Sequence, residues 1–244
     1  MTAFGTIGRN MTRTIARYRH IGAPQAVSAH LRAAALRRGQ EPQPRPAPSR
    51  QERVVITLTT IPARASGIAP VLQSLRDQSE PADRIVLALP RLSRRTGLPY
   101  PSPETLRLPP EIDIIPCTDE GPSTKFLPAL AAEPDAVIIV VDDDVIYPVD
   151  FIKTLLAAHR GDRSRALGLR GVNINPDIRF PHLPHVFCGA LREAHDVDIL
   201  FGTWGYLLPP HALDAAVKDF SSAPEALRWV DDVWISGHLS LIHI

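Results

Sequence analysis

From about residue 50 onward the chain alternates short apolar runs with amphipathic stretches. Arg53-Val-Val-Ile-Thr-Leu58 reads as a buried strand, and Ile68 to Gln78 as an amphipathic helix. Arg84 to Leu89 is a second strand and Ile112 to Ile115 a third. Ser123 to Ala132 reads as a helix, Ala136 to Val141 as the most apolar strand, and Phe151 to His159 as another helix. Further strands are expected at Ala166–Leu169 and Val197–Phe201, with helices at His211–Asp219 and Asp231–Leu239. The strands are continuous apolar runs rather than strict alternations, so both of their faces need cover. Strands that alternate with helices supply that cover. The expected fold is α/β: a mostly parallel, Rossmann-related central sheet with helices on both faces. The proline-rich stretch from Pro90 to Pro122 reads largely as loop.

The first fifty residues differ in kind. They hold nine Arg, no Lys and a single acid, Glu41, for a net charge of +8, whereas the remainder carries −7. A basic leader (residues 1–40) therefore precedes an acidic body (residues 51–244). The leader reads as helical from Thr12 to Arg38, split near Gly22 and Pro24. Residues 41–50, with alternating prolines from Glu41 to Ser49, read as an extended spacer that few contacts cross. Three roles for the leader stay open: a solvated extension, an interfacial helix drawn to anionic lipid, or a transit peptide. It has no aromatic interleaving of the kind that favours nucleic acid. The longest apolar run has six residues, against the roughly 20 a spanning helix needs. Cys117 and Cys188 are far apart and make no zinc or disulfide framework. A cytoplasmic protein, peripheral at the inner face of the membrane if the leader is an anchor, fits these features.

In open parallel sheets the chemistry collects at the carboxyl ends of the strands. There the chain places Val137-Ile-Ile-Val-Val-Asp-Asp-Asp144. Three adjacent carboxylates repel one another, and a cation would offset that cost. In an extended segment Asp142 and Asp144 face the same side and would converge on one ion, with Mn²⁺ or Mg²⁺ suited to oxygen ligands. Upstream, Ser123 or Thr124 can cap a helix that carries Lys125, a point charge for a phosphate or for an acid of the site. Downstream, Asp231 and Asp232 begin a helix, where the dipole favours acids and where one could act as a general base. Between the acidic clusters, Phe201-Gly-Thr-Trp-Gly-Tyr-Leu-Leu-Pro209 pairs glycines with aromatics and reads as a loop, so an acceptor could approach the backbone at Gly205 and stack on Trp204. His182 and His185 sit in a Pro-interrupted loop and suit a surface or acceptor-side role.

The order of these features resembles a GT-A-fold glycosyltransferase, similar to the family 2-like bacterial enzymes: Thr59-Thr60 and Arg64 after the first strand, Gly-Pro-Ser-Thr-Lys125, Asp142-Asp-Asp144, a Gly-rich aromatic segment, then Val230-Asp-Asp232. The resemblance covers about residues 53–239. It implies a metal-dependent transfer of sugar from a nucleotide-sugar donor, most readily UDP- or GDP-linked, to a hydroxyl of a glycan or lipid-linked acceptor. Carried over by position, Thr59, Thr60, Arg64 and Lys125 face the nucleotide-sugar, as does Asp143 through sugar or ribose. Asp142 and Asp144 hold the metal, with His238 as a further ligand, and Asp232, or else Asp231, is the base. A donor between metal and acceptor would separate the two acidic clusters by roughly 8–15 Å. Relatives commonly continue past the point where this chain stops, which raises the expectation of a truncated C-terminus. Two other readings stand beside the transferase: a non-catalytic or decayed nucleotide-sugar binder, and a haloacid-dehalogenase-like phosphatase. The second is disfavoured because Ser123, Thr124 and Lys125 precede the aspartates instead of following them.

Overall fold

A computed structural model describes residues 23–39, 50–177, 179, 182–187 and 194–242. The described residues form one seven-stranded sheet in the order β3-β2-β1-β4-β7-β5-β6. Its strands are β1 (Val54–Leu58), β2 (Arg84–Pro90), β3 (Ile112–Cys117), β4 (Val137–Val140), β5 (Leu167–Val172), β6 (His185–Phe187) and β7 (Ile199–Leu208). Helices α1 (Ala23–Arg37), α2 (Ala69–Arg76), α3 (Pro103–Leu106), α4 (Leu127–Ala132), α5 (Phe151–His159) and α6 (Asp231–Ile242) complete the architecture. The fold is α/β, as expected, but its sheet is mixed. Strands β3, β2, β1 and β4 run parallel. The pairs β4–β7, β7–β5 and β5–β6 are antiparallel.

The parallel half is built on residues that leave no face to water. Every residue of β1 and β4 is buried. On one face Val54, Ile56, Val137 and Ile139 pack against Leu72 and Leu75 of α2 and Ile152 and Leu156 of α5. On the other, Val55, Val86, Ile138 and Val140 meet Phe126, Ala129 of α4, and Ile235 and Leu239 of α6. Helices therefore cover both faces. Fully burying each such side chain contributes about 1.5–3 kcal/mol, which fixes where the strands end and so where the polar residues after them emerge. Proline explains two departures from the expected elements. Pro128 has no N–H to donate and is tolerated only in a helix's first turn, so α4 starts at Leu127, preceded by a 3₁₀ turn over Gly121–Lys125. Pro116 lies within β3, which runs on to Cys117 because it is an edge strand.

The antiparallel half departs further. The Gly-rich aromatic stretch is not a loop: β7 runs through it for ten residues. The helix expected at His211–Asp219 is only a 3₁₀ turn at Ala215–Lys218. His185 lies on β6 rather than in a loop, while His182 is exposed and sits 2.7 Å from Asp177.

Of the leader, residues 1–22 and 40 lie outside the described residues, as do 41–49 of the spacer and Cys188. The remaining helix, α1, begins at Ala23 with Pro24 in its first turn. Contrary to the expectation of few contacts, it docks on the body: Leu36 is buried, and Arg32 pairs with Asp77 at 2.5 Å and donates to the Tyr147 carbonyl at 3.2 Å. Among the described residues no helix is long and apolar enough to cross a membrane.

Candidate functional site

Parallel pairing of β1 with β4 puts Thr57 beside Val140, so both strands release their next residues at the same edge. The Val141 N–H still donates to the Thr57 carbonyl at 3.0 Å, and beyond it the two chains part. From there the chain after β1 runs on toward β2 and the chain after β4 toward β5, in opposite directions along the sheet, and a crevice results at the carboxyl ends of the strands. It holds a cleft of about 300 Å³ lined by residues from Thr59 to Arg64, by Arg95, Leu98 and Tyr100, and by Lys125, Asp142, Asp143 and Trp229. The Arg95 guanidinium lies 4.7 Å over the Trp229 ring.

The three aspartates do not share a direction. The chain turns at Asp143–Asp144, so the alternation of an extended strand stops at Asp142. Asp142 Oδ2 accepts the Trp204 N–H at 2.9 Å, and its Oδ1 lies 3.9 Å from Lys125 Nζ. Asp143 is buried, accepting from the Thr60 hydroxyl at 2.7 Å and pairing with Arg64 at 2.9 Å. Asp144, with its side chain 57% exposed, pairs with the other nitrogen of Arg64 at 2.7 Å. The expected convergence of Asp142 and Asp144 is therefore replaced by divergence onto two different cations. Burial pushes the pKa of Asp142 and of Asp143 up, and the Asp144 charge adds to both; Lys125 and the Trp204 N–H oppose the rise at Asp142, the Thr60 hydroxyl and Arg64 at Asp143.

Lys125 joins this cluster to the second one. Its Nζ lies 2.8 Å from Asp231 Oδ2, so a single ammonium reaches acids some ninety residues apart in the chain. That is a closer approach than a donor-sized gap between the clusters. Burial lowers the Lys125 pKa, but Asp231, Asp142 and Asp232 outweigh it and hold the group charged. Asp232 accepts the Gly202 N–H at 2.7 Å. Its pKa is raised, first by burial and then by Asp231. Neither Asp231 nor Asp232 lines the cleft; they stand behind Lys125.

Local backbone geometry makes this assembly possible. The β5–β7 register shifts between Gly168, opposite Tyr206, and Arg170, opposite Phe201, so β7 bulges between them. In the bulge Trp204 and Gly205 both adopt positive φ, 71° and 98°, which turns the Trp204 N–H toward Asp142. A Cβ on Gly205 would stand 2.9 Å from Phe151 Cζ and 3.0 Å from the Val140 carbonyl. Gly205 is thus a packing position, and its open space is filled by the protein rather than left for an acceptor. A Cβ on Gly202 would lie 2.9 Å from Lys125 Nζ and 3.0 Å from Asp232 Oδ1. The hydroxyl of the fully enclosed Tyr206 has no hydrogen-bond partner among the described residues, and its ring lies 5.8 Å from Lys125 Nζ.

The structure thus assembles Thr60, Arg64, Lys125, Asp142, Asp143, Asp144, Trp204, Asp231 and Asp232. Thr59 lines the cleft while its hydroxyl donates to the Ala88 carbonyl at 2.8 Å. His238 does not join them. It lies six residues beyond Asp232, about 9 Å along the helix, edge-on to Trp234 at 4.6 Å and 3.8 Å from Asp214. Among the described residues no three His, Cys, Asp or Glu side chains are grouped as a metal site. Sequence reasoning missed Gly202, Tyr206, Arg95 and Trp229. The first two lay inside the glycine-aromatic segment already singled out. The last two carry no signal of their own: Trp229 reaches the cleft where the Arg228 guanidinium pairs with Glu120 and its segment lies against Gly121. No protein-family model and no curated protein matches this sequence.

Proposed function

We propose that the chain is a metal-dependent glycosyltransferase of GT-A type, moving a sugar from a nucleotide-sugar to a hydroxyl acceptor. The observation that carries the reading is the Lys125 bridge, which brings the acids after β4 and the acids opening α6 to one edge of the sheet beside a nucleotide-sized cleft. A leaving-group site and a proton-accepting site are the two parts such a transfer needs.

A divalent cation fits the residues present. Five carboxylates (Asp142, Asp143, Asp144, Asp231 and Asp232) face two cations, Lys125 and Arg64, and the negative excess falls on oxygen donors suited to Mg²⁺ or Mn²⁺. Asp142, at the cleft wall, would hold it, and Asp144 would join only by leaving Arg64. When bound, the ion neutralises charge on the departing nucleoside diphosphate. The chain's own residues do the rest. Arg64 and Lys125 present fixed positive charge at the cleft wall, and Trp229, Leu98 and Tyr100 offer apolar surface to a planar base. Thr59 and Thr60 have both hydroxyl protons committed within the protein, so they shape the cleft and position Asp143. Lys125 pairs with Asp231, which leaves Asp232, its pKa raised, to take the acceptor proton.

Calorimetry with UDP and GDP, with and without Mn²⁺ or Mg²⁺, tests the donor side, and a panel of nucleotide-sugars tests transfer. Binding that is equally tight in excess EDTA removes the metal role. Donor binding with neither transfer nor donor hydrolysis marks a non-catalytic binder instead. Phosphate release from simple phosphomonoesters would favour the phosphatase.

A further inference from the structure

On the antiparallel half, Arg170 of β5 is paired across the sheet with Phe187 of β6 on one side and Phe201 of β7 on the other. Its guanidinium carbon lies 4.7 Å from the Phe187 ring centre, 5.4 Å from that of Phe201 and 5.8 Å from that of Trp204. Three aromatic faces thus surround one cation. Its Nε is buried with no hydrogen-bond partner, and no carboxylate pairs with Arg170 among the described residues. Ring faces attract a cation but accept no N–H in the plane of the guanidinium fork, so the Nε–H keeps its demand for an acceptor. A guanidinium bordered by rings and not by carboxylates keeps a planar fork that carboxylate and phosphate oxygens match.

The position of this box gives it meaning. Trp204 is one of its walls, and the N–H of the same residue holds Asp142. A sugar stacked on Trp204 would therefore lie between the acid cluster and Arg170. We infer that Arg170, walled by Phe187, Phe201 and Trp204, is an anion subsite that selects acceptors bearing a carboxylate or phosphate group. The inference rests on the transferase reading for the word acceptor, but the subsite itself is defined by Arg170 and its rings.

The test titrates the full chain with three probes, followed by saturation-transfer NMR: methyl glucuronide, glucose 6-phosphate and neutral methyl glucoside. The anionic probes are expected to bind about tenfold or more tightly than the neutral one, the advantage of a charge-assisted hydrogen bond. Arg170→Met should abolish that ratio, and Arg170→Lys should keep part of it, while UDP binding is unchanged in both. Preference for the glucuronide alone assigns a carboxylate, and preference for the phosphate alone assigns a phosphate. Equal binding of all three probes, or no binding of any, overturns the inference. So does an Arg170→Met protein that melts earlier yet keeps the ratio, which would make the residue purely structural. If UDP fails to bind while the ratio survives, the transferase reading falls and the anion subsite stands.

Discussion

The two ends of the parallel strands handle charge in opposite ways. At the amino ends, Arg53 before β1 pairs with Glu133 at 2.8 Å, and Arg84 at the start of β2 pairs with Glu133 at 3.1 Å and Asp113 at 2.6 Å. Two cations meet two anions, and the edge is closed. At the carboxyl ends, Lys125 and Arg64 serve five carboxylates, and the edge keeps an excess of negative charge beside a cleft. The same strands run between them, so packing does not explain the difference. An edge that only has to be soluble can neutralise itself, whereas one that retains repulsion spends stability on something else. The largest consequence falls on Asp232. Asp232→Asn should lower transfer by about 10²–10⁴-fold, the usual worth of a general base, while nucleotide affinity changes little. Steady-state kinetics together with UDP calorimetry check this, and full turnover in the variant would take the base role from Asp232.

The next effect tests whether the acidic edge depends on the bulge in β7. Gly205 has a φ of 98° and no room for a Cβ between Phe151 and Val140. Gly205→Ala should destabilise the fold by about 1–3 kcal/mol through backbone strain alone, with more from the contact, and should weaken metal-dependent UDP binding as the Trp204 N–H leaves Asp142. Denaturant unfolding gives the first quantity and calorimetry the second. Loss of stability with unchanged UDP binding would separate the bulge from the site.

How much of this was legible in the sequence follows the same division of the molecule. Strands buried on both faces appear as uninterrupted apolar runs, so Val54–Leu58 and Val137–Val140 could be read directly, and with them the emergence of Thr59 and Asp142 at one edge. The antiparallel half buries itself through glycines and rings. Its ten-residue β7 reads as a strand only as far as Phe201 and as a loop beyond it, because Gly202, Trp204 and Gly205 break the apolar pattern where the strand bulges. Pairing was out of reach for a different reason. That Lys125 would reach both Asp142 and Asp231 depends on the side chain's path past Gly202, which no spacing encodes. The docking of α1 escaped too, because Arg32 and Leu36 belong to a basic leader whose three open roles, solvated extension, lipid-facing helix or transit peptide, included no contact with the body.

Removing one charge from each edge should have smaller effects of opposite sign. Asp232 has a raised pKa in the folded state, chiefly from burial, so its carboxylate opposes folding at neutral pH. Asn keeps an oxygen for the Gly202 N–H and carries no charge. Asp232→Asn should therefore raise the melting temperature by about 2–4 °C, the shift that roughly 1 kcal/mol produces in a domain of this size. At the other edge, Glu133 has a lowered pKa, held down first by its hydrogen bond from Arg53 and then by Arg84. Glu133→Gln should lower the melting temperature by roughly 1–3 °C, since partly exposed pairs contribute about 0.2–1 kcal/mol.

Acidification should shrink both differences, from opposite starting points. For Asp232 the folded pKa lies above the unfolded one, so the folded state binds the proton more tightly. Its contribution to stability is fully present below the unfolded pKa and is lost as pH rises through the folded pKa. The gain from Asp232→Asn is thus greatest at neutral pH and vanishes as the wild-type carboxyl takes up its proton. For Glu133 the folded pKa lies below the unfolded one. Its stabilisation is present above the unfolded pKa and is lost as pH falls through the folded value, so the deficit of Glu133→Gln closes over a lower pH window. Thermal melts of wild type and both variants across this range, with EDTA present, read the two signs directly. Parallel curves for the Asp232 variant and wild type would mean that the acidic edge costs the fold nothing. The surplus charge would then be an ordinary solvated feature, and the contrast between the two ends of the strands would lose its physical basis.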